Sequence, residues 1–329
     1  VATEKPNPPA AEVFLLLFFE KSSSFSERFL MSKKAAVIGL GSMGFGMARS
    51  LLRAGFEVAG FDVSADAIER FAAEGGVKAA TPAQAAAGAG IVVSVVVNAA
   101  QTELVLFGPD GVAAAMVEGG VFMSSATMAP DVARGLAKRL EATGRHYLDA
   151  PMSGGSVKAN DGALTILASG SKAAFEQARP ALAAMAGKVY ELGNEAGLGA
   201  AFKMINQLLA GVHIAAASEA MAFAAKQGLD LPKVFEVITA SAGNSWMFEN
   251  RMPHVLQGDY TPHSAVEIFV KDLGIIQDMA RAEKFPVPVA ASALNMFLGA
   301  AGMGMGREDD AAVAKVYARL SGTKLPGEA

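Results

Sequence analysis

Three short clusters hold the residue types that could do chemistry. The first is Gly39-Leu40-Gly41-Ser42-Met43-Gly44. It ends an apolar, β-branched run and opens a helical pattern, the strand–turn–helix setting that gives a Gly-x-Gly-x-x-Gly its meaning. There Gly39 permits the tight turn, Gly41 lets backbone approach a pyrophosphate, and Gly44 lets helix pack on strand. Leu40, Ser42 and Met43 complete the turn, and the free N–H groups of the helix start face phosphate. Asp62, 18 residues beyond Gly44, ends the next strand. A carboxylate there accepts both ribose hydroxyls of a dinucleotide and repels a 2′-phosphate. Val63 follows it, and the nearest cation is Arg70. NAD is therefore expected over NADP. A helix cap is the alternative reading of Asp62. Val97-Asn98 and Thr127 fall at the carboxyl ends of later strands, the edge where cofactor and substrate gather in such sheets.

The second cluster is Asp149-Ala-Pro-Met-Ser153-Gly154-Gly155. Ser153 with two glycines offers several backbone N–H groups in a small space, a cradle for a carboxylate. Taken alone it reads equally as an ordinary turn. The third is Gly199-Ala-Ala-Phe-Lys203-Met-Ile-Asn206-Gln207. Lys203 shares a helix face with Asn206 and with Gln207. Its neighbours are apolar, and desolvation lowers a lysine pKa toward working pH. Such a lysine can relay a proton to or from a carbonyl oxygen during hydride transfer; a solvated surface lysine is the alternative.

The ordered set of residues 39–44, Pro-Met-Ser-Gly-Gly at 151–155, Gly-x-x-x-Lys-x-x-Asn at 199–206 and Lys271-Asp272-Leu273 resembles the β-hydroxyacid dehydrogenases. That family includes 3-hydroxyisobutyrate dehydrogenase and tartronate semialdehyde reductase. The resemblance implies that Lys203 is the general acid/base, that Asn206 assists at the substrate hydroxyl, and that Ser153 to Gly155 hold the carboxylate. It places Thr127 and Lys271 toward the nicotinamide and Asp272 at the substrate pocket. It also implies a homodimer or homotetramer built through the helical domain. Within the family, Asn244-Ser-Trp-Met-Phe-Glu-Asn-Arg251, Gly258-Asp-Tyr-Thr-Pro262 and Ile268-Phe-Val-Lys-Asp-Leu-Gly274 are similar to the L-threonate dehydrogenases. That similarity puts Asn244, Ser245 and Trp246 over the pocket as contacts to a polyhydroxylated acid. Ala126 departs from the wider family, which has Thr at this step, so only Thr127 carries over. The alternatives are a 3-hydroxyisobutyrate dehydrogenase, a tartronate semialdehyde reductase, or a binding module that lost its chemistry. The presence of Lys203 argues against the last.

The elements that position these clusters follow from the pattern. Strands are expected over residues 35–40, 56–62, 91–97, 121–124, 145–149, 164–169 and 189–192, with helices over 43–54, 65–74 and 130–143 and one opened by Thr81-Pro82. Their alternation predicts a Rossmann, doubly wound parallel sheet. The rhythm stops near Gly193, and long helices follow: 199–227, 231–241, 264–283, 288–303 and 309–320. The first would be about 40 Å long at 1.5 Å per residue. The expected division is an NAD-binding domain over 31–194 and an all-α substrate and oligomerisation domain over 195–329. Residues 1–30 read as a poorly ordered upstream extension, because Met31-Ser-Lys-Lys directly precedes the first good strand.

Composition narrows the chemistry. The chain has 329 residues, room for two domains, and no cysteine, which rules out disulfides, thiolate metal sites and a cysteine nucleophile. Its four histidines are not paired at metal-ligand spacing. Hydride transfer without a metal is therefore expected. The net charge of −4 gives no basic footprint for nucleic acid. No stretch reads as approaching the roughly 20 apolar residues of a membrane span. The run Val13–Phe19 is short and flanked by Glu12 and Glu20. A small-molecule substrate and a reducing, cytoplasmic setting are the expectations.

Overall fold

The computed structural model describes residues 33–327. The extension expected over residues 1–30 lies outside them. The first half alternates β1 (Lys34–Ile38), α1 (Ser42–Arg53), β2 (Glu57–Phe61), α2 (Ala65–Ala73), β3 (Val77–Lys78), α3 (Pro82–Ala86), β4 (Ile91–Ser94), α4 (Ala99–Phe107), α5 (Val112–Ala115), β5 (Val121–Ser124), α6 (Pro130–Glu141) and β6 (His146–Asp149). Next come β7 (Met152–Ser153), α7 (Gly155–Asp161), β8 (Leu164–Gly170), α8 (Lys172–Met185) and β9 (Ala186–Glu191). The second half is helical: α9 (Leu198–Lys226), α10 (Leu231–Thr239), α11 (Trp246–Gln257), α12 (Val266–Ala282), α13 (Pro288–Ala300) and α14 (Val313–Ser321). A π-turn (Ala301–Met305) and a short 3₁₀ turn (Asp310–Ala312) join the last two.

The strand order β3-β2-β1-β4-β5-β6 is that of a dinucleotide-binding sheet, and these strands pair in parallel. Both faces are covered. One cluster packs α1 and α8 on the sheet through Met47, Leu51, Phe175 and Leu182, and the other packs α3 and α6 through Ala85, Leu136 and Leu140. The order reverses between β1 and β4, so the turn after β1 lies at the switch point where ligands bind.

The sheet departs from an all-parallel one at its far edge. β8 runs antiparallel to β6 and β7, while β9 is parallel to β8. A parallel return needs a crossover that spans the sheet. Here the connection holds only β7 and α7, and α7 turns back onto α1. The approach is close: a Cβ at Gly46 would meet Asn160 N at 2.6 Å. The strand expected to run to Val97 stops at Ser94, because its neighbours end in register at Ile38 and Ser124. Helix α8 was not expected, since Pro180 interrupts its apolar period; Ser171 caps it by accepting Ala174 N–H at 3.2 Å.

One expectation about length needs correction. By length and composition, Leu198–Lys226 and Pro288–Met305 are each apolar enough to cross a membrane. Ala and Gly make up much of both and dilute the apolar signal when read by eye. In the fold, 14 of the 29 residues of α9 are buried, and it packs against β8, α11, α12, α13 and α14. Phe202, Ile205 and Phe223 remain more than half exposed along it, and Leu209 nearly half.

Candidate active site

The turn after β1 is shaped by what its glycines exclude. Gly39 has φ +96°, and a Cβ there would meet Val95 O at 2.6 Å. A Cβ on Gly44 would meet Gly39 O at 1.9 Å, so no larger residue lets α1 sit this close to β1. At Gly41 a Cβ would meet nothing within 4 Å. Its bare backbone therefore borders open space, as a pyrophosphate cradle requires. Gly41 caps α1 without a side-chain bond, and the first turn carries no acid. The helix N–H groups and their positive dipole are left for an anion. Leu40 is buried, so only its backbone serves the turn, while Ser42 is exposed and Met43 half-buried. The turn fits a dinucleotide.

Asp62 lies just past β2. Its Oδ2 accepts Leu40 N–H at 2.6 Å and its Oδ1 accepts Ser64 N–H at 2.8 Å. A carboxylate has about four acceptor positions, so each oxygen keeps a lone pair for ribose. Arg70, the cation considered for a 2′-phosphate, lies over the Phe45 ring 5.4 Å from its centroid. Asn98 caps α4 by accepting Gln101 N–H at 2.9 Å, and Thr127 is half-buried in the loop after β5.

Lys203 sits in the second turn of α9, 9% exposed. Its Nζ donates to Met152 O at 2.8 Å. Burial lowers its pKa from 10.5 to about 8; Asp272 pulls the other way and Lys271 adds to the drop. Met152 directly precedes Ser153, so the ammonium lies one residue from the Ser-Gly-Gly turn. Gly154 (φ +136°) and Gly155 (φ +74°) both take positive φ at the start of α7.

A continuous polar chain surrounds Lys203. Asn206 Nδ2 donates to Gln207 Oε1 at 2.9 Å, and Gln207 Nε2 donates to Asp272 Oδ2 at 2.6 Å. Asp272 is fully buried, and Lys271 Nζ lies 2.7 Å from its Oδ1 as an ion pair. Lys271 also donates to Val97 O at 2.8 Å, which joins the helical half to the sheet half at the edge beyond β4. The structure thus brings together Lys203, Asn206, Gln207, Lys271, Asp272 and Val97 from three separate stretches of chain.

It gives the 244–246 stretch a local role. Ser245 caps α11 by accepting Phe248 N–H at 3.0 Å. Asn244 Nδ2 donates to Thr239 O at 3.0 Å and to Glu249 Oε1 at 2.6 Å. Trp246 is 56% exposed. Among the described residues, no hydrogen bond links these three to the Lys203 chain. Sequence reading passed over Asp149 and the Met152 carbonyl. Asp149 is 1% exposed, and burial pushes its carboxyl up to about 6 against the pull of the Ala200 and Gly197 N–H groups. Its only local signal is an acid ending a buried strand. Among the described residues, no group of three or more His, Asp or Glu is placed to hold a metal ion.

Two family models cover this architecture. The NAD binding domain of 6-phosphogluconate dehydrogenase matches residues 34–193, and the NAD-binding region of NADP-dependent 3-hydroxyisobutyrate dehydrogenase matches residues 197–317. The chain is 54% identical to an L-threonate dehydrogenase of Cupriavidus necator, over 91% of this chain and 100% of that protein. It is 34% identical to a 2-(hydroxymethyl)glutarate dehydrogenase of Eubacterium barkeri, over 90% and 98%. Among solved structures, a 3-hydroxyisobutyrate dehydrogenase of Salmonella typhimurium superposes with a TM-score of 0.82 at 51% identity, over 86% of this chain and 99% of that one.

Proposed function

The chain belongs to the 3-hydroxyisobutyrate dehydrogenase family of β-hydroxyacid dehydrogenases, and on that premise we propose that it oxidises L-threonate to 2-dehydro-L-erythronate with Lys203 as general acid/base. It is an NAD-dependent dehydrogenase acting on a hydroxy acid. The observation that carries the reading is the buried Lys203 ammonium bonded to Met152 O, next to the Ser153–Gly155 turn proposed to hold the carboxylate. The choice of L-threonate is supported by the 54% identity to an enzyme of that name.

When bound, NAD supplies the hydride acceptor at nicotinamide C4. The backbone N–H groups of Ser153, Gly154 and Gly155 hold the substrate carboxylate. Lys203 in its neutral form takes the proton from the hydroxyl, and its ammonium returns that proton in the reverse direction. Asn206 assists at the hydroxyl. Gln207 and Asp272 line the pocket, and Asp272 also steadies the charged form of Lys203. Thr127, Val97, Asn98 and Lys271 border the nicotinamide. Proton transfer in this scheme uses no metal. Residues 31–194 form the cofactor unit and 195–329 the substrate and oligomer unit.

Initial rates with L-threonate, 3-hydroxyisobutyrate, glycerate and 2-(hydroxymethyl)glutarate, each with NAD and NADP, test the assignment. L-threonate with NAD is expected to give the highest kcat/KM. Preference for another acid overturns the substrate. The second reading, 3-hydroxyisobutyrate, is favoured by the 51% identity to the Salmonella typhimurium protein, a 3-hydroxyisobutyrate dehydrogenase by name.

Asp62 sets cofactor choice in this scheme. Asp62→Ala removes a charged acceptor, which costs about 1.5–3 kcal/mol and so raises KM for NAD by about tenfold or more. NADP is then accepted more readily. An unchanged NAD-to-NADP ratio removes Asp62 from this role.

The exposed apolar row Phe202, Ile205 and Leu209 on α9 is the surface through which two copies associate. Rows of large exposed apolar residues at helical spacing mark interaction sites. Ile205→Glu is expected to shift the sedimenting species toward monomer; an unchanged species counts against this surface.

A further inference from the structure

We infer that Asp149 is a positioning residue: its carboxylate caps α9 and thereby sets Lys203 against the Ser153–Gly155 turn. The inference rests on the roles given above to Lys203 and that turn.

Asp149 is the last residue of β6, in register with Ser124 on β5 and Ser169 on β8. One oxygen, Oδ2, accepts two N–H groups from the start of α9: Gly197 at 3.0 Å and Ala200 at 2.8 Å. Ser169 Oγ accepts the Gly199 N–H between them at 2.9 Å. The helix supplies no side-chain cap of its own. Its first N–H groups are satisfied from two strands of the other half of the molecule. A negative group on a helix N-terminus also gains from the helix dipole. The seat is tight, since a Cβ on Gly199 would meet Leu167 O at 2.3 Å.

The chain then runs from Asp149 through Ala150 and Pro151 to Met152, whose carbonyl accepts the Lys203 ammonium at 2.8 Å. The segment 149–152 therefore grips α9 twice, at Ala200 and one turn later at Lys203. Ser153 is the next residue. The distance from the ammonium to the carboxylate cradle is fixed by this double grip. Lys203 makes the second contact itself, so Asp149 is what holds the helix while Lys203 exchanges its proton. Without the carboxylate, two buried N–H groups lose their acceptor, and the Gly199 bond to Ser169 is left to tie the first turn of α9 to the sheet. A shift of about 1 Å in a reacting group is enough to cost about 10²-fold in rate.

The test is a double-mutant cycle with Lys203. Asp149→Ala is expected to lower kcat by about tenfold or more, with the Kd for NAD within about twofold, because the cofactor turn lies on β1 and β2. In a Lys203→Ala background the same substitution is expected to change the residual rate by less than about twofold, since the group it positions is gone. Asp149→Asn keeps an acceptor oxygen for Gly197 and Ala200 but loses the charge at the helix start, and is expected to lower kcat by about threefold, less than Asp149→Ala does. An equal loss with and without Lys203, or a near-normal kcat in folded Asp149→Ala, overturns the inference. If Asp149→Ala fails to fold, Asp149→Asn carries the cycle. A loss of about threefold that vanishes in the Lys203→Ala background supports the inference; a loss of equal size in both, or none, overturns it. A near-normal kcat in Lys203→Ala alone overturns the role of Lys203, and this inference with it.

Discussion

Lys203→Ala lowers kcat by about 10²- to 10⁴-fold, the usual contribution of a positioned general acid/base, and leaves NAD affinity nearly unchanged. The two effects separate because the pyrophosphate turn at 39–44 and Asp62 lie on the sheet, while Lys203 rises from α9. The pH profile supplies a second readout. Burial draws the Lys203 pKa down to about 8. Oxidation needs the neutral amine, so kcat/KM for the hydroxy acid rises with pH up to about 8 and then levels. Reduction needs the ammonium, so its rate is full below that pH and falls above it. In Lys203→Ala the limb near pH 8 disappears from both directions. Stopped-flow rates with saturating cofactor across pH 6 to 10 measure it. A variant that keeps its limb and near-normal kcat takes the proton-transfer role away from Lys203.

The same residue shows how far local sequence reaches. The three glycines were legible because each answers a demand made within a few residues: a positive φ, an open approach, and a carbonyl 1.9 Å from where a Cβ would stand. Asp62 was legible because a strand end is a local feature. Lys203 was legible as desolvated because its apolar neighbours lie within one helical turn. What holds Lys203 was not legible, because its partners are remote in the chain. Asp149 reaches Ala200 across 51 residues, Gln207 reaches Asp272 across 65, and Lys271 reaches Val97 across 174. No periodicity encodes such pairs. The far edge of the sheet was missed for a related reason: its direction depends on α7 docking against Gly46, over 100 residues earlier in the chain. Asn244 and Ser245 show the opposite case. Ser245 satisfies the helix start, while Asn244 bonds the end of the preceding helix and the Glu249 carboxylate, all within five residues.

Arg251→Ala destabilises the protein by about 3–5 kcal/mol, the penalty for removing one partner of a buried ion pair. Arg251 lies on α11 and is 8% exposed. Its Nε donates to Asp310 Oδ1 at 2.6 Å and its Nη2 to Asp310 Oδ2 at 3.3 Å. Its Nε also lies 3.9 Å from Asp309 Oδ1. Asp309 is fully buried too, and accepts N–H groups from His263 at 2.8 Å and Ala311 at 3.1 Å. One guanidinium thus faces two buried carboxylates on consecutive residues, which join α11 to the connection ahead of α14. Burial and the neighbouring Asp309 push the Asp310 carboxyl above the usual range, and Arg251 holds it back. With Arg251 in place that carboxyl already sits at about 7, and loss of Arg251 raises it further. The folded state then binds more protons than the unfolded one, so stability rises as pH falls. Parent and variant therefore differ in bound protons only above about pH 7, so the deficit of Arg251→Ala is constant below that pH and grows as pH rises above it. Thermal unfolding of both proteins at several pH values measures the difference. A deficit below about 1 kcal/mol, or one that does not change with pH, shows that the two aspartates do not depend on Arg251 for their burial.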